Sequence, residues 1–378
     1  MAVLFWCTVS IAGDKDIQQL PDEIYTDLEY IFSVIVNDGE IDTEKISGIV
    51  DFVRSAPAGT SYSLATREGS QGAFHAFDIN SQLSDVIGYA LNPDIPPYMT
   101  MPSSLQNHHW LTPETARELR SLIAGGDAIE SMQVFRGQEN ETITPDIHTG
   151  GYYSYDQDRF LLFFPDSSGP ILISATLQNN ISEIGRKGCV VGDDSNWDYL
   201  YLEKTGLTKA GLGWVDTFMY KASAVAVYVS DTTSGNIHAG SFKWLDAGWS
   251  QINMVKSHHI LKGIKRFAND FKNILESPNL PEVQEITNRY QELQAMKKQE
   301  LRLLVAPYLE TLKQSEKIED CSKAFVSLVS SGKYLEQMDN QELIRILLLE
   351  YLKGQLEESG YESVGFHTAP VNSVSIDS

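Results

Sequence analysis

"HAGSFKWLDAGWSQINMVKSHHILKGIKRFANDFKNIL" (238–275) changes its periodicity halfway along, and the fold turns on that change. Its first eight residues close a series of strand-like segments. From Ser257, the expected N-cap, the positions Ile260, Leu261, Ile264, Phe267, Ala268, Phe271, Ile274 and Leu275 recur at helical spacing, for about five turns on one face. "SPNLP" (277–281) ends the pattern. A long amphipathic helix that directly follows antiparallel strands is expected across the concave face of their sheet, burying its apolar stripe there. Gly263 costs such a helix about 1 kcal/mol against alanine. It reads as a point of close approach between helix and strand.

Upstream, from about residue 130, the segments "SMQVFRG", "GGYYSY", "RFLLFF", "PILISATL", "WDYLYL", "WVDTFMY" and "AVAVYV" are rich in aromatic or β-branched residues. The stretches "DQD", "DSSG", "GDDSN", "KTG" and "DTTSGN" between them read as turns. The predicted fold is α+β: a curved antiparallel sheet packed on one long helix over 127–276. Residues 14–126 read as a mixed, mainly helical region. There Pro21 opens one helix, Ile46, Ile49, Val50 and Val53 mark a second, and Thr112-Pro113-Glu114 opens a third that Gly125-Gly126 stops. Within it, "GAFHAFDI" (72–79) looks like a strand. Downstream, 282–360 reads as a three-helix appendage whose first helix, marked by Val283, Ile286, Tyr290 and Leu293, is kinked by Pro307. Residues 361–378 form a polar, flexible tail.

Composition narrows the function. The 378 residues carry 29 basic and 51 acidic side chains, a formal charge of −22. Such a surface repels phosphate backbones, so nucleic acid is not an expected partner. Three cysteines (Cys7, Cys189, Cys321) are too few for a disulfide framework, match no zinc spacing, and leave open whether Cys189 and Cys321 pair. No metal or cofactor is expected. No run of residues is long and apolar enough to span a bilayer. Residues 1–13 have the apolar run and small residues of a signal-peptide remnant, which points to a periplasmic or secreted protein. A buried N-terminal strand in a cytoplasmic protein is the alternative.

Motifs for catalysis fall away under inspection. Adjacent histidines, His258-His259 and His108-His109, point in different directions on a helix or strand and rarely chelate one ion. His258 and His259 fall in the first turn of the long helix, where the dipole disfavours an imidazolium, and are expected neutral. His75, His148 and His238 are isolated. "DSNWD" places Asp194, Asn196 and Asp198 as in a calcium loop, but lacks the glycine and the closing glutamate. "KTG" and "SSGK" stand in the wrong order for a β-lactamase. Cys189 has Arg186 and Lys187 nearby, which would favour a thiolate, yet its two following valines suit a buried structural residue.

Two features survive. Trp197, Tyr199 and Tyr201 share one strand face, and Trp214, Phe218 and Tyr220 share another; pointing inward, they would line a cavity for a hydrophobic or amphipathic small molecule. On the long helix, Lys256, Lys262, Lys265 and Arg266 stand against the lone acid Asp270, offering a site for an anion or an acidic partner. A final strand followed by a closing helix over 239–275 resembles the helix-grip arrangement of START and Bet v 1-like lipid-binding domains. That resemblance implies non-catalytic binding of a lipid-like molecule between sheet and helix. The alternatives are a scaffold that captures a protein partner through 282–360, and a hydrolase using Cys189, or a histidine with an acid such as Asp193.

Overall fold

The computed structural model describes residues 20–125, 129–146, 150–209 and 213–356. The expectations for 1–13, His148, Gly126 and 361–378 lie outside them. Pro21 caps helix α1 (Asp22–Val36), which buries Ile24, Leu28 and Ile31, and α2 (Ser47–Ser55) buries Ile49, Val50 and Val53 at the same helical spacing. A hairpin follows, β1 (Ser61–Arg67) and β2 (Ser70–Ile79), then a single turn α3 (Leu83–Asp85), β3 (Leu105–Trp110) and α4 (Pro113–Ala124). The strands continue as β4 (Gln133–Ile143), β5 (Gly151–Tyr152), β6 (Ser154–Phe164), β7 (Ile171–Gln178), β8 (Arg186–Val190), β9 (Tyr199–Thr205), β10 (Leu207–Lys209), β11 (Gly213–Val215), β12 (Phe218–Asp231), β13 (Asn236–Trp249) and β14 (Ile252–Asn253). Helix α5 (Ser257–Leu275) precedes α6 (Val283–Ala295), α7 (Lys298–Gln314), α8 (Lys323–Ser330), α9 (Lys333–Gln337) and α10 (Asn340–Leu356).

The architecture is α+β. Nine strands form one antiparallel sheet in the order β1-β2-β13-β12-β7-β6-β4-β3, with β14 hydrogen-bonded to β13. The mixed region 14–126 contributes to this sheet as well as supplying helices, because β1, β2 and β3 are three of its strands. The segment "DQD" is not a turn either: Asp156, Gln157 and Asp158 lie mid-strand in β6. β4 likewise runs on through "QENETI" to Ile143.

Strand alternation divides the sheet into two different faces. On the outer face Phe160, Leu162, Ile171, Ile173, Val225, Val227, Phe242 and Trp244 form a buried cluster with α1 and α2. Gly240 makes room for α2 there, since a Cβ at that position would lie 2.6 Å from Val53 Cγ2. On the inner face, Phe77, Leu161, Phe163, Leu172, Tyr228 and Ile237 pack with Ala268, Phe271 and Leu275 of α5. Toward the start of α5, Ile260 and Ile264 close on Ala73.

The segment "WDYLYL" leaves this sheet. It enters a separate three-stranded sheet, β5-β8-β9, while β10 and β11 pair alone. The C-terminal helices pack on that smaller sheet. Tyr199, Leu200 and Tyr201 share one buried cluster with Leu301, Val305, Leu309, Phe325, Leu347 and Leu348. Residues 282–356 hold five helices rather than three, and the first break falls at Met296–Lys297, ahead of Pro307, which lies within α7. A disulfide joins Cys189 of β8 to Cys321, just before α8, with their Cα atoms 5.9 Å apart. Replacing Cys321 with serine is expected to cost about 2–5 kcal/mol of stability, read as a lower urea midpoint; an unchanged midpoint would contradict the bridge.

Burial pushes Glu342 of α10 up to about 7, with Asp339 adding to the rise, against a hydrogen bond from Tyr334. The unfolded carboxyl titrates near 4.5, so ionisation costs the fold nothing below that pH and progressively more as pH rises through about 7. Glu342→Gln cannot ionise. From about pH 4.5 to 8 it should gain on the order of 2 kcal/mol relative to the unsubstituted chain, measured by urea unfolding at both pH values. A constant difference would contradict this.

Candidate functional site

Between α5 and the inner face of the sheet lies a cavity of about 940 Å³. One wall is apolar: Ile260, Ile264, Phe267 and Phe271 project from α5, facing Leu172, Met219, Tyr228 and Leu245. The other wall is polar, because inward positions on β4, β6, β7 and β13 are occupied by Glu139, Glu141, Tyr155, Gln157, Arg159, Ser174, Thr176, Ser241 and Lys243. In register, Arg159 stands opposite Thr176, Thr176 opposite Ala224, and Ala224 opposite Lys243. Two long basic side chains thus flank two short ones, which leaves the floor open between them.

Glu139 anchors this wall and is fully buried. Its carboxylate accepts hydrogen bonds from His108 Nε2 at 2.9 Å, Gln157 Nε2 at 2.6 Å and Arg159 Nε at 2.8 Å. Burial alone would raise its pKa, but Arg159 and His108 overcome that and hold it at about 2. Glu141 is held more loosely, 3.4 Å from Arg159 Nη2 and 3.4 Å from the Tyr155 hydroxyl. Burial and the neighbouring Glu139 push its carboxyl up, against the pull of Arg159. Lys243 has no hydrogen bond or ion pair among the described residues. Burial lowers its pKa, with Glu141 acting in the opposite sense and Arg266 reinforcing the fall.

Gly263 does not mark close packing. A Cβ there would meet nothing within 4 Å, and the residue lines the cavity. The cap of α5 also differs from expectation. Lys256 is the N-cap and Ser257 the first helical residue; His259 Nδ1 accepts from the Lys256 backbone N–H at 3.2 Å. Accepting requires an unprotonated Nδ1, consistent with a pKa lowered by burial and by His258. The His258 and His259 rings meet edge to face, 4.1 Å between centroids. On β3, His108 reaches Glu139 while His109 is exposed. His75 meets Ser61 Oγ at 3.0 Å, and His238 pairs with Asp78 at 2.8 Å.

The five named aromatic residues whose side chains are described do not all come together, and none of the five lines this cavity. Trp197, Tyr199 and Tyr201 are buried against the C-terminal helices. Their ring faces meet a cation from within the chain: Arg345, 2% exposed, places its guanidinium 5.2 Å from the Tyr199 ring, 5.7 Å from Tyr201 and 5.8 Å from Tyr98. Trp214 lies on β11, where only its backbone is described. Phe218 and Tyr220, half-buried with ring centroids 6.0 Å apart, project away from the cavity, and Met219 between them lines it.

The basic side chains of α5 also separate. Lys256, Lys262 and Lys265 are exposed, whereas Arg266 turns inward and pairs with Asp194 at 2.9 Å. The carboxylates of "DSNWD" are divided in the same way. Asp194 serves Arg266 and the Tyr199 hydroxyl, while Asp198 accepts from Tyr308 at 3.0 Å and Lys353 at 2.8 Å. Asp193 caps the turn of 194–196 by accepting from Ser195 N–H. Among the described residues no group of three or more His, Cys, Asp or Glu could hold a metal ion, and no helix is long and apolar enough to cross a membrane. The disulfide leaves Cys189 without a free thiol, so it cannot serve as the nucleophile of a hydrolase.

No protein-family model matches the chain, and no curated protein matches it significantly.

Proposed function

We propose that this protein binds an amphipathic, lipid-like small molecule in the cavity between α5 and the sheet, without chemical conversion. The observation that carries this reading is the contrast between the cavity's two walls. Apolar side chains on α5 face a row of polar ones on the sheet, and the volume of about 940 Å³ suits a ligand of drug or short-lipid size. Burying a polar group without a partner is costly, and within this largely hydrogen-bonded row Lys243 closes no hydrogen bond or ion pair among the described residues. An amphipathic ligand offsets that cost with its head and covers the α5 face with its body. The Cys189–Cys321 disulfide supports an exported protein, since such bonds persist in oxidising compartments.

Native mass spectrometry of the gently purified protein, followed by organic extraction, tests the reading. A co-purifying molecule of a few hundred daltons, released on unfolding, is the expected result. A chain that carries nothing and takes up no amphiphile on incubation would refute it.

A further inference from the structure

We infer that the ligand of this cavity is an amphipathic acid, its anionic head group held by Lys243 and its apolar body lying along α5. The inference rests on the binding reading above and specifies the chemistry of the ligand. Lys243 lines the cavity on β13, half-buried, and closes no hydrogen bond or ion pair among the described residues. The described arginines around the cavity are already engaged at short range: Arg159 with Glu139 at 2.6 Å, Arg266 with Asp194 at 2.9 Å, Arg117 with Glu114 at 2.6 Å and Arg120 with Asp94 at 2.9 Å. Among the described lysines and arginines that line the cavity, Lys243 is therefore the cation with spare capacity. An ammonium withdrawn from water with no direct ion pair, only the more distant pull of Glu141, is unfavourable, and an incoming anion that reaches it corrects that imbalance.

The neighbours of Lys243 fit the same head group. Across the sheet, the row from Lys243 to Arg159 is bridged only by Ala224 and Thr176, so a head group meets no bulky side chain there. Burial and Glu139 push the carboxyl of the neighbouring Glu141 up, against the pull of Arg159, a direction that weakens its repulsion of an anionic head group. The apolar body then runs toward Ile260 and Ile264, past the open space at Gly263.

Isothermal titration of the full chain with decanoate and with decan-1-ol separates this inference from the reading it rests on. The two probes share a body and differ in the head. The expected result is decanoate binding at least about tenfold more tightly than the alcohol, a preference that Lys243→Met reduces to about twofold or less. Lys243→Met keeps the apolar stem, so the alcohol should bind it as well as it binds the unsubstituted chain. Gly263→Phe, which fills the cavity from α5, should lose both ligands. Equal affinities for acid and alcohol, or a preference retained in Lys243→Met, would overturn the inference and leave the cavity reading standing. Binding of neither probe, or binding that survives Gly263→Phe, would overturn both.

Discussion

Removal of residues 282–378 is expected to unfold the chain rather than release an intact β domain. Helices α6 to α10 are not an appendage, because they complete the core around β8 and β9. Val190, Val191, Tyr199, Leu200, Tyr201 and Ile274 would lose much of their cover, at about 1.5–3 kcal/mol for each large apolar side chain. Asp198, 2% exposed, would lose both Lys353 and Tyr308, and the disulfide to Cys321 would disappear. The total matches or exceeds the about 5–15 kcal/mol that holds a typical domain together. Circular dichroism of the truncated chain should show no cooperative thermal transition. A cooperative melt close to that of the full chain would show the helices to be dispensable, as a partner-capturing module would be.

The second large effect is expected at Glu139. Alanine there leaves Arg159, with an 18% exposed side chain, without its closest counter-charge. Breaking a buried pair from one side costs about 3–5 kcal/mol. Urea unfolding at neutral pH should show a loss of that size. The gap should also depend on pH in a defined direction. Glu139 is depressed to about 2 in the folded chain against a usual 4.5, so its contribution is complete above about pH 4.5 and is lost as pH falls through about 2. The difference between Glu139→Ala and the unsubstituted chain should therefore narrow in acid. A small loss at neutral pH, or a gap that stays constant in acid, would mean that the pair carries little weight.

The apolar half of the fold was legible in the sequence. The stripe of α5, the β12–β13 hairpin and the first two helices were read from periodicity, because one face of each is buried against hydrocarbon. The cavity wall was not legible, for a physical reason. Where β4 and β6 line the cavity, the inward residues Glu139, Glu141, Gln157 and Arg159 are polar. The outward residues there are polar too: Gln138 donates to Asp158 and Asn140 to Asp156 across the strands. Polar on both faces, "DQD" reads as a turn and "QENETI" gives no strand signal, and only the β-register reveals that both are strand. The aromatic residues misled for the converse reason. Tyr199 and Tyr201 combine bulk with polarity because they enclose Arg345 of the same chain, and nothing local to "WDYLYL" announces an arginine so far along the sequence. A polar period-two run flanked by apolar strands was the available signal for the site.

Methyl NMR of the full chain during titration with decanoate tests the central claim most directly. Leu172, Met219, Leu245, Ile260 and Ile264 line the cavity, whereas Ile173, Val225 and Val227 occupy the opposite face of the same sheet under α1 and α2. The expected result is saturable shifts confined to the first group, with the second unmoved. Shifts centred on the second group, or none at saturating ligand, would contradict a binding site between α5 and the sheet.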